Sequence, residues 1–193
     1  MDPDHTQRQA MRIMKPSYQL LAISGSLRAA SSNTAVLQAL AALAPTETTI
    51  TLYAQLADLP HFNPDWESDD AKLPAVVRAL RTQVGQVDGI LISSPEYAHG
   101  VPGVLKNALD WLVGSVEFPY KPVALINISP RSIHAHTSLV EILTTMSAKL
   151  INEPALTIDL PRKGLDAAGM VGEPAIRAAL EAALFTLIQA IQE

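Results

Sequence analysis

Short apolar runs alternate along this chain with longer segments in which apolar residues recur at helical spacing. The apolar runs predict five strands, at Tyr18–Ser24, Thr48–Tyr53, Asp88–Ser93, Pro122–Ile128 and Ala155–Leu160. The helical spacing predicts helices from Asn33 through Leu43 and over Ala71–Val84, Val101–Val113, Ala135–Leu150 and Pro174–Ile191. Because strands that alternate with helices favour right-handed crossovers, the sequence predicts an α/β fold: a five-stranded parallel sheet with helices on both faces.

The residues before the first strand differ in character from the rest of the chain. Residues 1–17 carry Asp, His, Gln and Arg and lack the apolar core of a signal peptide, so we expect a flexible N-terminal extension. Residues 18–193 contain every predicted strand and helix, and this length suits a single domain. Within it, we expect a surface loop from Ala54 to Asp70, where Pro60 and Pro64 interrupt the pattern.

Composition narrows the classes of function. The net charge of −5 argues against a broad nucleic-acid interface, which needs clustered Lys and Arg. The chain has no cysteine, which excludes disulfides, thiolate metal sites and a cysteine nucleophile and fits a reduced cytoplasm. No apolar run approaches the ~18 residues of a membrane span. We therefore expect a cytoplasmic protein that acts on small molecules and binds neither nucleic acid nor membrane.

The sheet topology selects the loops to inspect. In an open parallel sheet, ligands bind beyond the carboxyl ends of the strands, near the point where strand order reverses. The loops that follow the first, third and fourth strands are therefore the candidates for a binding site.

The loop after the first strand carries groups that suit an anion. It offers the hydroxyls of Ser26, Ser31 and Ser32, the guanidinium of Arg28, and the backbone N–H groups at the start of a helix. Asn33 either caps that helix or donates its amide to the ligand. Serines also suit an ordinary polar turn, but a turn needs no guanidinium, so Arg28 favours an anion site. The Gly-Lys-Ser/Thr of a P-loop is missing, as is G-x-G-x-x-G.

The loop after the third strand suits a flat ring. Pro95 stiffens the exit from the strand, and Gly100 and Gly103 permit a close approach of the backbone. Main-chain groups here are suited to grip a heteroaromatic ring with imide edges, with Tyr97 as an apolar wall beside it.

Together these loops make the sequence similar to the NADPH-dependent FMN reductase family, which includes bacterial quinone, chromate and azo-dye reductases. Its members carry G-S-x-R-x-x-S-x-N after strand one and P-E-Y-x-x-x-x-P-G-x-L-K-N-x-x-D-W after strand three. This chain has the first motif at Gly25–Asn33 and the second at Pro95–Trp111, and the resemblance runs from about Leu20 to the C-terminus. It implies a flavodoxin-like, doubly wound sheet of strand order 2-1-3-4-5.

The resemblance also implies roles for the residues of both motifs. Five residues of the first loop are expected to hold the FMN phosphate, Ser32 as a helper: Ser26, Arg28, Ser31, Ser32 and Asn33. The backbone of Pro95, Glu96, Tyr97 and Ala98 is expected to border the isoalloxazine ring, with His99 lining the acceptor pocket. Glu96 lies near the flavin and the partner subunit in relatives, and a solvated position is the alternative. Four residues are expected to serve structure: Lys106, Asn107, Asp110 and Trp111. For Asp110 and Trp111, which lie on a helix past the loop, packing and a subunit interface are expected.

The resemblance weakens after the fourth strand. Relatives have a glycine-rich turn there, whereas this chain has Pro130 and Arg131, although Ser129 can still reach the flavin. Arg131 either attracts the ribose phosphate of NADPH or is an exposed loop arginine. His134 and His136 are two residues apart at a helix start, so they point apart and predict capping or surface roles, not a metal pair.

The implied activity is a ping-pong reaction. Hydride passes from NADPH or NADH to FMN and then to a quinone, azo compound, metal oxyanion or similar acceptor, and the chain needs no nucleophile of its own. Homodimers or homotetramers are expected. Two alternatives stay open: a flavodoxin-like electron carrier, disfavoured by the Asp110-Trp111 motif, and a flavin-free binding or regulatory module, prompted by Pro130 and Arg131.

Overall fold

A computed structural model of the chain describes residues 17–67, 72–151, 157–160 and 164–193. It contains five strands, β1 (Tyr18–Ser24), β2 (Thr48–Leu52), β3 (Gly89–Ser93), β4 (Pro122–Leu125) and β5 (Lys149–Ile151). All four pairings are parallel and the order is β2-β1-β3-β4-β5, which confirms the predicted topology. The expected N-terminal extension lies outside the described residues except for Ser17.

Six helices are described in these ranges: α1 (Ser32–Leu43), α2 (Ala75–Gln86), α3 (Gly103–Val113), α4 (Ile133–Thr145), α5 (Ala167–Gly172) and α6 (Pro174–Gln192). The short α5 was not predicted. Its start is set by Asp166, whose Oδ1 accepts a hydrogen bond from the Gly169 N–H at 2.8 Å. Such caps satisfy N–H groups that a helix end leaves without partners, so six residues form a helix here.

The sheet separates two hydrophobic layers. Alternate residues of β1 point to opposite faces, so Leu21 and Ile23 join one layer while Leu20 and Ala22 join the other. Apolar stripes of α2, α3 and α4 cover the first face, and stripes of α1, α5 and α6 cover the second. Every residue of β3 is buried because helices cover both of its faces.

The C-terminal helix α6 corrects one expectation from the sequence. Its 19 residues, with a mean hydropathy of 1.4 over the most apolar window, are long and apolar enough to cross a membrane by length and composition. Its buried stripe of Ile176, Leu180, Leu184 and Leu187 packs against the sheet and α1. A core helix passes the same test of length and composition, and the packing of this stripe accounts for the apolar residues on that face.

The fifth strand is the largest error of the sequence-based prediction. It lies at Lys149–Ile151, not at Ala155–Leu160, and the helix expected to reach Leu150 ends at Thr145. A Schellman motif ends this helix: Ser147 adopts φ 61°, its N–H donates to Thr144 O, and the Ala148 N–H donates to Leu143 O. Of the predicted strand, Thr157 forms an isolated parallel bridge with Asn127, and residues 155, 156 lie outside the described ranges.

The start of α3 also differs from the prediction. The sequence placed Pro102 inside the first turn, but Pro102 is the N-cap, with φ −53° and ψ 135°, and α3 begins at Gly103. An extended ψ at this residue keeps the chain outside the helix until Gly103.

The second half of α3 holds the loop between β2 and α2. Asn107 Oδ1 accepts a hydrogen bond from the Phe62 N–H at 2.8 Å, and its Nδ2 donates to Pro60 O at 2.9 Å. Trp111, fully buried, donates from Nε1 to the same Pro60 carbonyl at 2.8 Å and packs edge-on against Phe62. Lys106 pairs with Asp110 at the surface. The structural role predicted for Asn107 and Trp111 therefore has a definite form, a clamp on residues 60–62.

Candidate functional site

The loop after β1 contains local hydrogen bonds between its serine side chains and the backbone N–H groups two residues further on. The Ser26 N–H donates to Ser24 Oγ at 3.4 Å, and the Arg28 N–H donates to Ser26 Oγ at 3.3 Å. Gly25 permits a close approach here, because a Cβ would lie 2.7 Å from Ser94 Oγ in the loop after β3 and 3.1 Å from Leu105 Cδ2. The first loop is thus preorganised and in contact with the third.

The N-terminus of α1 offers donors to a ligand. Ser31 is the N-cap, and its Oγ accepts from the Thr34 N–H. The N–H groups of Ser32 and Asn33 have no acceptor in the described part of the chain. Arg28 is exposed beside them, and no described residue accepts a hydrogen bond from its guanidinium. Free N–H groups, a positive helix end and a guanidinium are all groups that suit an anion.

The Asn33 side chain joins the start of α1 to the end of β3. It is buried, and its Oδ1 lies 2.9 Å from Ser93 Oγ at the end of β3. The Ser93 hydroxyl is also 3.0 Å from Ile126 O, just after β4. One buried hydroxyl therefore joins the ends of three adjacent segments, and sequence reasoning did not identify Ser93. Ser31, and not Asn33, caps the helix.

The loop after β3 contains a tight turn, which we name the 97–100 turn. Tyr97 and Gly100 exchange two backbone hydrogen bonds of 3.1 and 3.0 Å, and the residues between them, Ala98 and His99, have φ of 48° and 57°. Two left-handed residues are typical of a type I′ turn, usually made by Asn-Gly. The turn leaves the Tyr97 side chain 55% exposed, and His99 is exposed as well.

Two contacts join the third loop to the fourth. Glu96 Oε2 accepts a hydrogen bond from the Ala135 N–H at 2.9 Å, so this carboxylate caps α4, whose own N-cap Ser132 makes no side-chain bond. The His99 and His134 rings stack with centroids 4.2 Å apart and planes 19° apart. Glu96 is therefore neither simply solvated nor free. His134 was predicted to be a surface or capping residue, and the structure places it against the third loop.

The remaining residues of the fourth loop lie around this junction. The Ser129 N–H donates to Asn127 Oδ1 at 3.1 Å, and the Ser129 carbonyl accepts from the Ser132 N–H. Pro130 and Arg131 are exposed. His136 is half-buried, and burial lowers its pKa, which favours the neutral ring. At the carboxyl edge of the sheet the third loop thus contacts both the first loop and the fourth.

The chain matches one known protein family over most of its length. A sequence model described as NADPH-dependent FMN reductase matches residues 18–161, well over half of the chain. The chain belongs to the NADPH-dependent FMN reductase family. It is accordingly an oxidoreductase of a family that uses FMN as cofactor and NAD(P)H as electron donor.

Individual relatives of this FMN reductase agree with the assignment. A 2-hydroxy-1,4-benzoquinone reductase from Burkholderia sp is 35% identical over 159 residues, 79% of this chain and 85% of that protein. A quinone reductase from Escherichia coli strain K12 is 35% identical over 147 residues, 73% and 77% of the two chains. The solved structure of FerB, a flavoenzyme NAD(P)H:(acceptor) oxidoreductase from Paracoccus denitrificans, has a TM-score of 0.78 and 27% identity, covering 91% and 97%.

The described residues of this FMN reductase fit the cofactor its family implies. The acceptorless N–H groups of Ser32 and Asn33 and the free guanidinium of Arg28 suit a phosphate. In the 97–100 turn, the Ala98 and His99 N–H groups have no acceptor among the described residues, which suits the polar edge of a ring. The two groups of donors follow the adjacent strands β1 and β3 along the chain.

The sequence did not lead us to Ser93 or to the contact of His134 with the third loop, although a feature of the sequence pointed to each. Ser93 is a polar residue at the end of an otherwise apolar central strand. His134 begins the helix after β4, as His99 follows β3, and these strands are neighbours in the predicted order. Because the ends of neighbouring parallel strands meet at one edge of the sheet, the topology predicts a contact between His99 and His134.

Proposed function

We propose that this protein is a ping-pong reductase that uses FMN to pass electrons from NADPH or NADH to small quinone-type acceptors. The observation that carries the proposal is the anion site at α1, joined by the Ser93–Asn33 hydrogen bond to the loop that contains the 97–100 turn. The similarity to a 2-hydroxy-1,4-benzoquinone reductase and to a quinone reductase supports this acceptor class. Azo compounds and metal oxyanions are further acceptors to be tested.

The residues of the first loop would hold the phosphate. Ser26, Arg28 and Ser32 contribute side-chain donors, Ser32 and Asn33 contribute backbone N–H groups, and Ser31 fixes the helix start. When bound, FMN supplies the redox chemistry, accepting a hydride from the nicotinamide and reducing the acceptor.

The residues of the third and fourth loops would hold the ring. Pro95, Glu96, Tyr97 and Ala98 border it with their backbone, and the N–H groups of Ala98 and His99 stabilise negative charge at its polar edge. The exposed Tyr97 and His99 side chains line an open approach, which donor and acceptor use in turn. Ser129 reaches the flavin from the fourth loop, and Arg131 attracts the ribose phosphate of NADPH.

We further propose that the enzyme acts in the cytoplasm as a homodimer or homotetramer. Exposed apolar side chains at the end of α3 and just after it support association: Val113, Val116, at 89% exposure, and Tyr120. Light scattering coupled to size-exclusion chromatography tests this, and a monomer at micromolar concentration would contradict it.

Substitution of Arg28 tests the phosphate assignment. A charge-assisted hydrogen bond contributes about 1.5–3 kcal/mol, so Arg28→Ala should raise the dissociation constant for FMN about 10- to 150-fold. Titration of the apoprotein with FMN, followed by flavin fluorescence, measures it. Arg177→Ala is the matched control, because this exposed arginine on α6 pairs only with Glu181 in the described chain. Equal affinity in both variants would refute the assignment.

Anaerobic reduction tests the reaction itself. We expect the flavin absorbance of purified holoprotein to bleach on addition of NADPH or NADH alone and to return when a benzoquinone is added. No bleaching without a partner protein would favour the electron carrier, and failure to retain any FMN would favour the flavin-free module.

A further inference from the structure

Three metal-ligating side chains from two loops converge beside the site described above. Glu96, His99 and His134 each offer one ligand atom, and these atoms all lie within 4.8 Å of one another. Glu96 and His99 belong to the loop after β3, whereas His134 begins α4. We name this group the EHH cluster; in the proposed FMN site Glu96 contributes its backbone, and the His99 side chain only lines the approach to the ring.

Backbone structure holds each member in place. His99 is presented by the 97–100 turn, where two consecutive non-glycine residues adopt left-handed φ values that cost about 1–2 kcal/mol each. Such a conformation persists only where its surroundings enforce it, and such sites often serve function. Glu96 is oriented by the hydrogen bond from the Ala135 N–H to Oε2, which leaves Oε1 without an acceptor role in the described chain.

The two imidazoles are not otherwise engaged. Their rings stack at 4.2 Å, and no described residue makes a hydrogen bond to a ring nitrogen of either histidine. Both rings are exposed, so an ion can reach them from solvent. A carboxylate ligand whose second oxygen is already hydrogen-bonded is the usual supporting arrangement around protein metal ions.

The donor set selects the class of metal. Two neutral imidazoles and one carboxylate suit borderline divalent ions such as Zn²⁺, Cu²⁺ and Ni²⁺, whereas Mg²⁺ and Ca²⁺ require oxygen ligands. Three protein ligands are the pattern of zinc sites that keep a position open for water or a small oxygen ligand. We propose that the EHH cluster binds one divalent transition-metal ion, with Zn²⁺ as its representative. All three ligand atoms come from the protein, so binding of the ion does not require FMN.

Equilibrium binding of Zn²⁺ alone tests the proposal. Tag-free, full-length protein is stripped with a chelator and titrated calorimetrically with Zn²⁺, both with and without FMN. We expect one ion per chain at micromolar or lower dissociation constant and no binding of Mg²⁺. His99→Ala, His134→Ala and Glu96→Gln should each weaken binding by about tenfold or more, a range typical of metal-site substitutions. Glu96→Gln keeps an oxygen for the Ala135 N–H, so it removes charge with little effect on α4.

Two other histidines provide controls. His61 is a lone exposed histidine, and His5 lies outside the described residues; His61→Ala and His5→Ala should leave Zn²⁺ binding unchanged. Circular dichroism confirms that each variant is folded. Electron paramagnetic resonance of Cu²⁺ at one equivalent should show coupling to two imidazole nitrogens, falling to one in His134→Ala. The proposal would be overturned if the wild type did not bind Zn²⁺, or if all three cluster variants bound it as tightly as the wild type.

Discussion

The clamp that α3 places on residues 60–62 makes a quantitative prediction. Asn107→Ala removes the acceptor of the Phe62 N–H and one donor to Pro60 O. An unsatisfied, partly buried N–H costs about 1–3 kcal/mol, and a lost neutral hydrogen bond costs about 0.5–1.5 kcal/mol. Pro60 keeps its bond from Trp111 Nε1, and both loop residues are partly exposed, so water offsets part of the loss. We therefore expect the free energy of unfolding to fall by about 2 kcal/mol.

Urea unfolding followed by circular dichroism measures this change. FMN concentration must be fixed, because a ligand that binds only the folded state raises apparent stability. Lys106→Ala is the control from the adjacent position: its exposed ion pair with Asp110 should contribute less than about 1 kcal/mol. Hydrogen exchange of the Phe62 amide should accelerate in Asn107→Ala. An unfolding free energy within about 0.5 kcal/mol of wild type would show that water replaces the clamp entirely.

Two further predictions concern side chains in unusual environments. Burial, with a contribution from Asp58, raises the pKa of Tyr53 in the folded protein to about 12, from an ordinary value of 10.0. The free energy of unfolding is therefore unaffected by this group below pH 10 and falls as the pH rises toward 12. The free energy of unfolding should fall by about 2–3 kcal/mol over this range, and the fall should be absent in Tyr53→Phe. At pH 7, Tyr53→Phe should be at least as stable as the wild type, because the Tyr53 hydroxyl is buried with no partner among the described residues. Urea unfolding at neutral and alkaline pH checks both, and equal alkaline losses in the two proteins would contradict the assignment. Ala98→Gly should stabilise the fold by about 0.5–1 kcal/mol, because the steric strain removed from a left-handed alanine exceeds the cost of the added entropy of the unfolded chain. Ala98→Val should destabilise the fold. The opposite order of urea midpoints would rule out strain in the 97–100 turn.

The sequence was most informative where burial and periodicity agree. β1 was predicted to the residue, and β3 to within one residue, because long or uninterrupted apolar runs end at polar residues there. The topology followed from the alternation of strands and helices, and the two motifs located the loops of the candidate site.

Errors arose where local signals were weak or misleading. Ser147 stands where a helix-ending glycine is usual, and Ala148 and Leu150 continue the apolar pattern of α4, so the boundary was hidden. β5 has three residues, too few for a period-two pattern to be recognised.

The contacts of the site depend on positions far apart in the chain. The capping of α4 by Glu96 spans 39 residues, and the bond between Asn33 and Ser93 spans 60. No local pattern encodes either pair. His134 was judged against His136 on its own helix, whereas its neighbour in space is His99, which sheet topology brings near.

The Ser93 hydroxyl has a consequence for how such proteins diverge and how they can be engineered. Because it has one proton and two oxygen neighbours, on Asn33 and Ile126, a change at position 33 alters what position 93 tolerates, and the reverse holds too. A replacement for the Gly25–Asn33 segment that lacks Asn at its last position would therefore leave the Ser93 hydroxyl with one acceptor instead of two. An engineered change in the first loop has to be matched at the end of β3, because a single buried proton couples the two.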